Sequence, residues 1–177
     1  MKLELNRRKF LKTSALTGAV AVAACGQAGK NESDSVPFAE KNLAGTWKMV
    51  DYFFETTDGQ RLYPWGSKPT GWLIIDGKGG LSAQSMHDKD RQMSQPPTQE
   101  QQARAFQTYS AYFGNYRVDT AAKTLTTRVV GGLDPSWVGS DQVRHFSFEG
   151  TRLVLRTNPM KIDATTQAVG NFYWERS

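Results

Sequence analysis

The sequence predicts an all-β protein, an antiparallel barrel or sandwich of about eight short strands with one short helix among them. Three observations carry this. From Leu43 onward, short runs rich in aromatic and β-branched residues recur, separated by regular turns. Asp76-Gly77-Lys78-Gly79-Gly80 and Glu149-Gly150 are tight connections of the kind that join antiparallel partners. A single window, beginning at Thr98, carries helix signals instead.

The elements follow in order. Gly45 to Phe54 (GTWKMVDYFF) is the first strand, and Asp58-Gly59 marks the turn after it. Thr70 to Ile75 is short and apolar; the glycine-loaded turn returns it into Leu81 to His87, so these two runs form a hairpin. Asp88 to Pro97 is a polar loop ending in Pro96-Pro97. Thr98 as N-cap and Gln101 reaching back make a capping box, and Ala103, Phe106 and Tyr109 (or Ser110) share one face at helical spacing. The helix is expected to end before Phe113-Gly114. Strands resume over Asn115–Asp119, Thr124–Val130, Val143–Phe148, Arg152–Thr157 and Gly170–Arg176. Eight strands closed into a barrel leave room for side chains or one small ligand.

Ahead of the first strand the chain carries an address. Arg7-Arg8-Lys9-Phe10-Leu11-Lys12 resembles the twin-arginine export signal, with Arg7 and Arg8 as the pair. Val22-Ala23-Ala24-Cys25 resembles the lipobox, whose cysteine is lipidated and becomes the first residue after cleavage. The apolar stretch Thr13 to Ala24 would span roughly 18 Å as a helix, short of the about 30 Å of a hydrocarbon core. It therefore reads as a cleaved signal. Ala21-Val22-Ala23 is an alternative site for a general signal peptidase. Cys25 is the only cysteine of the chain, so no disulfide forms within it and a covalent use suits an oxidising compartment. Gly26 to Glu40 is polar and without periodicity, a tether that would hold a domain on the order of 20 Å from the membrane. The expected organisation is a signal over residues 1–24, a tether over 25–40 and one domain over 41–177. The expected location is the cell envelope, lipid-anchored and facing the periplasm, or soluble in the periplasm if the other cleavage site is used.

Charge excludes one class of partner. The formal charge is +5, but residues 1–24 hold five Lys/Arg and one acid, which is +4 of it, leaving +1 on the 153 residues that follow. A nucleic-acid partner has no electrostatic support.

Gly45-Thr46-Trp47 resembles the Gly-x-Trp signature of lipocalins. An ordered set of segments is more specific: Leu43-Ala44-Gly45-Thr46-Trp47, Lys68-Pro69-Thr70-Gly71-Trp72-Leu73, Tyr112-Phe113-Gly114-Asn115-Tyr116, then Pro135-Ser136-Trp137-Val138-Gly139 with Gln142-Val143-Arg144 and Leu153-Val154-Leu155. Together they are similar to the bacterial and fungal lipocalin-like domain family, over roughly Lys41 to Arg176. The resemblance implies a small closed barrel with a short helix inserted near its middle, in a family most of whose members lack an assigned activity. It also implies an arginine from a late strand over the Trp47 ring as a cation–π contact, with Arg144 or Arg176 as the candidate. Thr126-Thr127-Arg128 stands where family members often carry histidine, so no role for such a histidine carries over.

The chemistry the sequence offers is sparse. Two histidines, no Cys-x-x-Cys and no HExxH leave no basis for a metal site, and no cofactor is expected. Ser85 and His87 lie two apart on one strand with Asp88 after them, but no Gly-x-Ser-x-Gly elbow accompanies them, and His87 equally suits an ordinary strand end. Asp51 alternates with Trp47, Met49 and Phe53. It is either an inward acid with a raised pKa or half of a structural pair with Arg144 or Arg117. Trp72, Tyr112, Tyr116, Phe146 and Trp174 come from several strands and either fill a barrel or line a pocket. Trp137 either caps the mouth or plugs a gap. With Arg144 for orientation, the candidate ligand-binding set is Trp72, Tyr112, Tyr116, Trp137, Arg144 and Phe146. The leading expectation is an envelope-tethered barrel that binds a small apolar or amphipathic molecule. The alternatives are a cofactor-independent cyclase or isomerase using Asp51 or His87, and a non-catalytic interaction module.

Overall fold

The structure, a computed structural model, describes residues 42–87 and 91–177. The twin-arginine pair, Cys25 and the tether lie outside the described residues. Ten strands form one antiparallel sheet: β1 (Gly45–Thr56), β2 (Arg61–Leu62), β3 (Thr70–Ile75), β4 (Gly80–Met86), β5 (Tyr109–Asp119), β6 (Thr124–Gly132), β7 (Asp141–Glu149), β8 (Arg152–Arg156), β9 (Met160–Lys161) and β10 (Gln167–Arg176). Their order is β2-β1-β3-β4-β5-β6-β7-β8-β10-β9, and β1 also pairs with β10, from Trp47↔Arg176 to Thr56↔Ala168. That last pairing closes the sheet. β1, β3, β4, β5, β6, β7, β8 and β10 make an eight-stranded barrel with no free edge. β2 and β9, two residues each, prolong the ladders of β1 and β10 at one rim. They are too short to leave a pattern in the sequence.

The helix α1 (Gln99–Gln107) begins with the expected capping box. The Gln101 amide donates to Thr98 Oγ1 at 3.2 Å, and the Thr98 amide donates to Gln101 Oε1 at 2.9 Å. The end of the helix differs from expectation. It stops at Gln107, and Tyr109 starts a strand of 11 residues where only Asn115–Asp119 was expected. Pairing explains this: Tyr109 to Asn115 lie opposite Met86 to Gly80 and complete the ladder of β4. Helix propensity is a weak preference beside a full row of cross-strand bonds. α1 buries none of its residues. Arg91 holds it instead, donating to Thr108 O at 2.9 Å and Thr108 Oγ1 at 2.7 Å beyond its C-terminus.

Alternation along β1 breaks once. Met49 lies opposite Trp174 but Asp51 lies opposite Tyr173, so Val50 is an extra residue, a β-bulge. The bulge shifts the side-chain phase by one. Trp47 and Met49 face inward before it, and Tyr52 and Phe54 face inward after it. Asp51 and Phe53 turn outward. Phe53 is still buried, because Tyr63, Tyr173 and the Arg61 guanidinium, 4.4 Å from its ring centroid, cover it outside the barrel.

The packed core fills one half of the barrel. Leu43, Trp47, Met49, Ile75, Leu81, Leu125, Phe146 and Leu153 pack there, with Leu73 and Trp174 at its boundary with the other half. At about 25 cal/mol per Å² of apolar surface, each such side chain contributes roughly 1.5–3 kcal/mol. The packed end is sealed by Trp47, whose Nε1 donates to Leu43 O at 2.9 Å.

Candidate functional site

The other half of the barrel is hollow. A cavity of about 450 Å³ opens there, within the roughly 300–1,000 Å³ typical of small-molecule sites. Its existence follows from a row of small residues. Gly71 of β3, Ser85 of β4 and Ser110 of β5 are direct cross-strand partners, and all three face inward at one height. One step deeper, Ala83 sits between Leu73 and Tyr112. At the height of the Gly71–Ser85–Ser110 row, no large side chain comes from this wall to meet the opposite one. At Gly71 none is possible, since an added Cβ would come within 2.7 Å of the Gln84 carbonyl.

The facing wall is aromatic. Tyr52 of β1 stacks on Phe172 of β10 with centroids 4.5 Å apart and planes at 16°. Phe54 meets Tyr52 edge-on at 5.5 Å. Trp65, from the loop after β2, lies edge-on to Tyr52 at 5.0 Å, and Trp137 lies edge-on to Tyr112 at 5.8 Å. Trp137 belongs to a 3-10 turn, Pro135–Trp137, capped by Asp134 Oδ1, which accepts from the Ser136 amide at 2.9 Å. Trp65 and Trp137 also border a smaller groove of about 230 Å³ beneath Phe106 of α1. The two indoles therefore stand between the cavity and the outside.

The polar groups are few. Among the described residues, Arg144 is the only charged one of the lining. Its guanidinium donates to Val143 O at 2.8 Å and to Gln142 Oε1 at 3.3 Å, and lies 5.8 Å from the Phe172 ring centroid. Burial pushes the Tyr52 phenol well above its usual range, with the nearby Arg144 charge pulling the other way. Trp174, 3% exposed, also lines the cavity. Its buried Nε1 has no hydrogen-bond partner among the described residues.

The residues singled out in the sequence divide by height and by face. Tyr112, Trp137 and Arg144 line the cavity. Tyr116 and Phe146 face inward but belong to the packed half. Trp72 corrects the expectation: it points outward and is 42% exposed, because β3 buries Gly71, Leu73 and Ile75 on the other face. Asp51 is also corrected. The Val50 bulge puts it outside, where its Oδ1 accepts from the Tyr52 amide at 2.8 Å. Arg117, considered as its partner, pairs with Asp141 at 2.9 Å instead. His87 lies just past β4, where its amide donates to Thr108 O at 3.0 Å, and it does not line the cavity. Arg176, not Arg144, lies over Trp47, 4.3 Å from the ring centroid. The lining residues that sequence reasoning missed include Tyr52, Phe54, Trp65, Thr157, Met160 and Phe172, together with the small residues that leave the space. Three inward positions of glycine or serine in register across three strands were the available signal.

Among the described residues, no three His, Cys, Asp or Glu side chains gather into a metal-binding group. No helix among them is long and apolar enough to cross a membrane.

Residues 44–177 match the family model of the lipocalin-like domain. No curated protein matches the chain. Among solved structures, a lipocalin-like protein from Bacteroides uniformis ATCC 8492 is similar at 14% identity, covering 77% of this chain and 99% of that one, with a TM-score of 0.39. With the family model spanning all eight barrel strands, the chain belongs to the lipocalin-like domain family.

Proposed function

We propose that the barrel binds one small apolar or amphipathic molecule in its open half, and that it does so tethered to the cell envelope through a lipid on Cys25. The observation that carries the binding proposal is the cavity itself: about 450 Å³, walled by aromatic rings and small residues, above a cluster of buried apolar side chains. Filling such a cavity with apolar surface gains about 25 cal/mol per Å² removed from water, less the cost of immobilising the ligand. Acid–base catalysis at this cavity is left without its two candidates, since neither Asp51 nor His87 lines it.

Native mass spectrometry of the protein purified from its own envelope tests the proposal. A co-purifying small molecule, lost on organic extraction, is the expected result. Repeated recovery of the bare chain mass, with no apolar compound restoring a complex, would contradict it. The tether has a separate test. Wild-type protein should partition with membranes, and Cys25→Ala should leave that fraction; a wild type already soluble in the periplasm defeats the lipoprotein proposal.

A further inference from the structure

Resting on the ligand-binding proposal above, we infer that the molecule this cavity takes is a monoanion with an apolar body, its charged oxygens held by Arg144. Three observations converge. The first is the sign of the lining: among the described residues Arg144 is its one charged side chain, and no described Asp, Glu, Lys or His accompanies it. The second is that Arg144 has no carboxylate partner among the described residues. The ion pairs of the domain lie elsewhere, on Arg104, Arg117, Arg128, Arg152 and Arg156. A guanidinium has five N–H donors, and only Val143 O and Gln142 Oε1 accept from this one. The third is the buried Nε1 of Trp174, a further donor without an acceptor. The cavity thus holds surplus donors and one uncompensated positive charge.

Each ligand class meets that surplus differently. An ammonium would be repelled by Arg144. A neutral apolar molecule would strip water from donors and return nothing, which is costly in a partly buried site. A carboxylate, or another monoanion with planar or forked oxygens, supplies both the acceptors and the counter-charge. Its apolar body then lies among Tyr52, Phe172 and Tyr112.

The test is calorimetric titration of the barrel with two matched sets of probes: naphthaleneacetate, naphthaleneethanol and naphthaleneethylamine, and decanoate, decanol and decylamine. The carboxylate of whichever body fits should bind about ten- to a hundredfold more tightly than its alcohol, as one charge-assisted interaction in a desolvated site supplies, with the amine weakest. Arg144→Gln should bring carboxylate and alcohol within about threefold of each other, chiefly by weakening the carboxylate; Arg144→Lys should retain part of the preference. Equal binding of carboxylate and alcohol to wild type, or a preference that survives Arg144→Gln, overturns the monoanion inference and leaves the binding proposal standing. If no member of either set binds, both fall together.

Discussion

The Arg176 guanidinium lies 4.3 Å from the centroid of the Trp47 ring, and the same side chain donates to Ala44 O at 2.9 Å and Asn42 O at 2.7 Å. One side chain from the last strand thus ties down the segment that enters the first. Gly45 makes the arrangement possible. Its φ of +142° belongs to glycine, and a Cβ there would collide with the guanidinium. The lock sits at the packed end, where Trp47 and Arg176 are themselves cross-strand partners.

Arg176→Ala should therefore lower stability by about 1–2 kcal/mol, from two charge-assisted bonds and a cation–π contact, discounted for exposure. Urea unfolding followed by tryptophan fluorescence measures it. Probe affinity should stay unchanged, because the cavity is at the other end of the barrel.

Ser85→Phe should place a ring where the Gly71–Ser85–Ser110 row leaves space. Affinity for any bound probe should drop at least about tenfold, since the site is lost while the fold is kept. The thermal midpoint should move little, because the new ring occupies existing space and not a packed core. Full affinity in a folded Ser85→Phe protein would place binding outside the cavity.

Tyr52 predicts an alkaline weakness. Its folded-state pKa is raised by burial, so the neutral form is favoured in the fold. The contribution is complete below the unfolded value of about 10 and is lost as pH rises above it, where the unfolded phenol ionises first. Thermal melts at pH 8 and pH 11 should show a larger alkaline loss for wild type than for Tyr52→Phe.

Asp163 predicts the opposite edge. Its Oδ1 accepts from the Thr165 and Thr166 amides, both at 2.8 Å, in the loop between β9 and β10, and these bonds hold its pKa down at about 2. A lowered carboxylate stabilises above its unfolded value of about 3.9, and the contribution goes as pH falls through the folded one. Hydrogen-exchange protection of the β9–β10 loop, taken relative to the intrinsic rate at each pH, should fall between pH 4 and pH 2, and Asp163→Ala should show the low protection throughout.

Which residues face inward was largely legible in the sequence; how high they sit in the barrel was not. Tyr112, Tyr116 and Phe146, singled out as aromatics, and Arg144, as an orienting charge, all face inward, on the side of the sheet that period two assigns to each strand's lumen face. Tyr112 and Tyr116 are four residues apart on β5, yet one borders the cavity and the other packs the core. That difference depends on what the neighbouring strands contribute at each height. Asp51 was misread because a bulge, set by the pairing of β1 with β10, changes the phase without changing the local sequence pattern. Trp72 was misread because its aromatic bulk outweighed the Gly71, Leu73, Ile75 alternation beside it.

The five tryptophans make the most direct test of where a ligand sits. Trp65, Trp137 and Trp174 line the cavity, Trp47 is sealed in the packed half and Trp72 is on the outer face. Nitrogen-15 NMR of the indole N–H groups, during titration with naphthaleneacetate or decanoate, reads all of them at once. Binding in the open half should shift the Trp65, Trp137 and Trp174 resonances and leave those of Trp47 and Trp72 in place. Saturable binding that shifts Trp72 alone, or moves none of the three lining indoles, would contradict a ligand site inside the barrel.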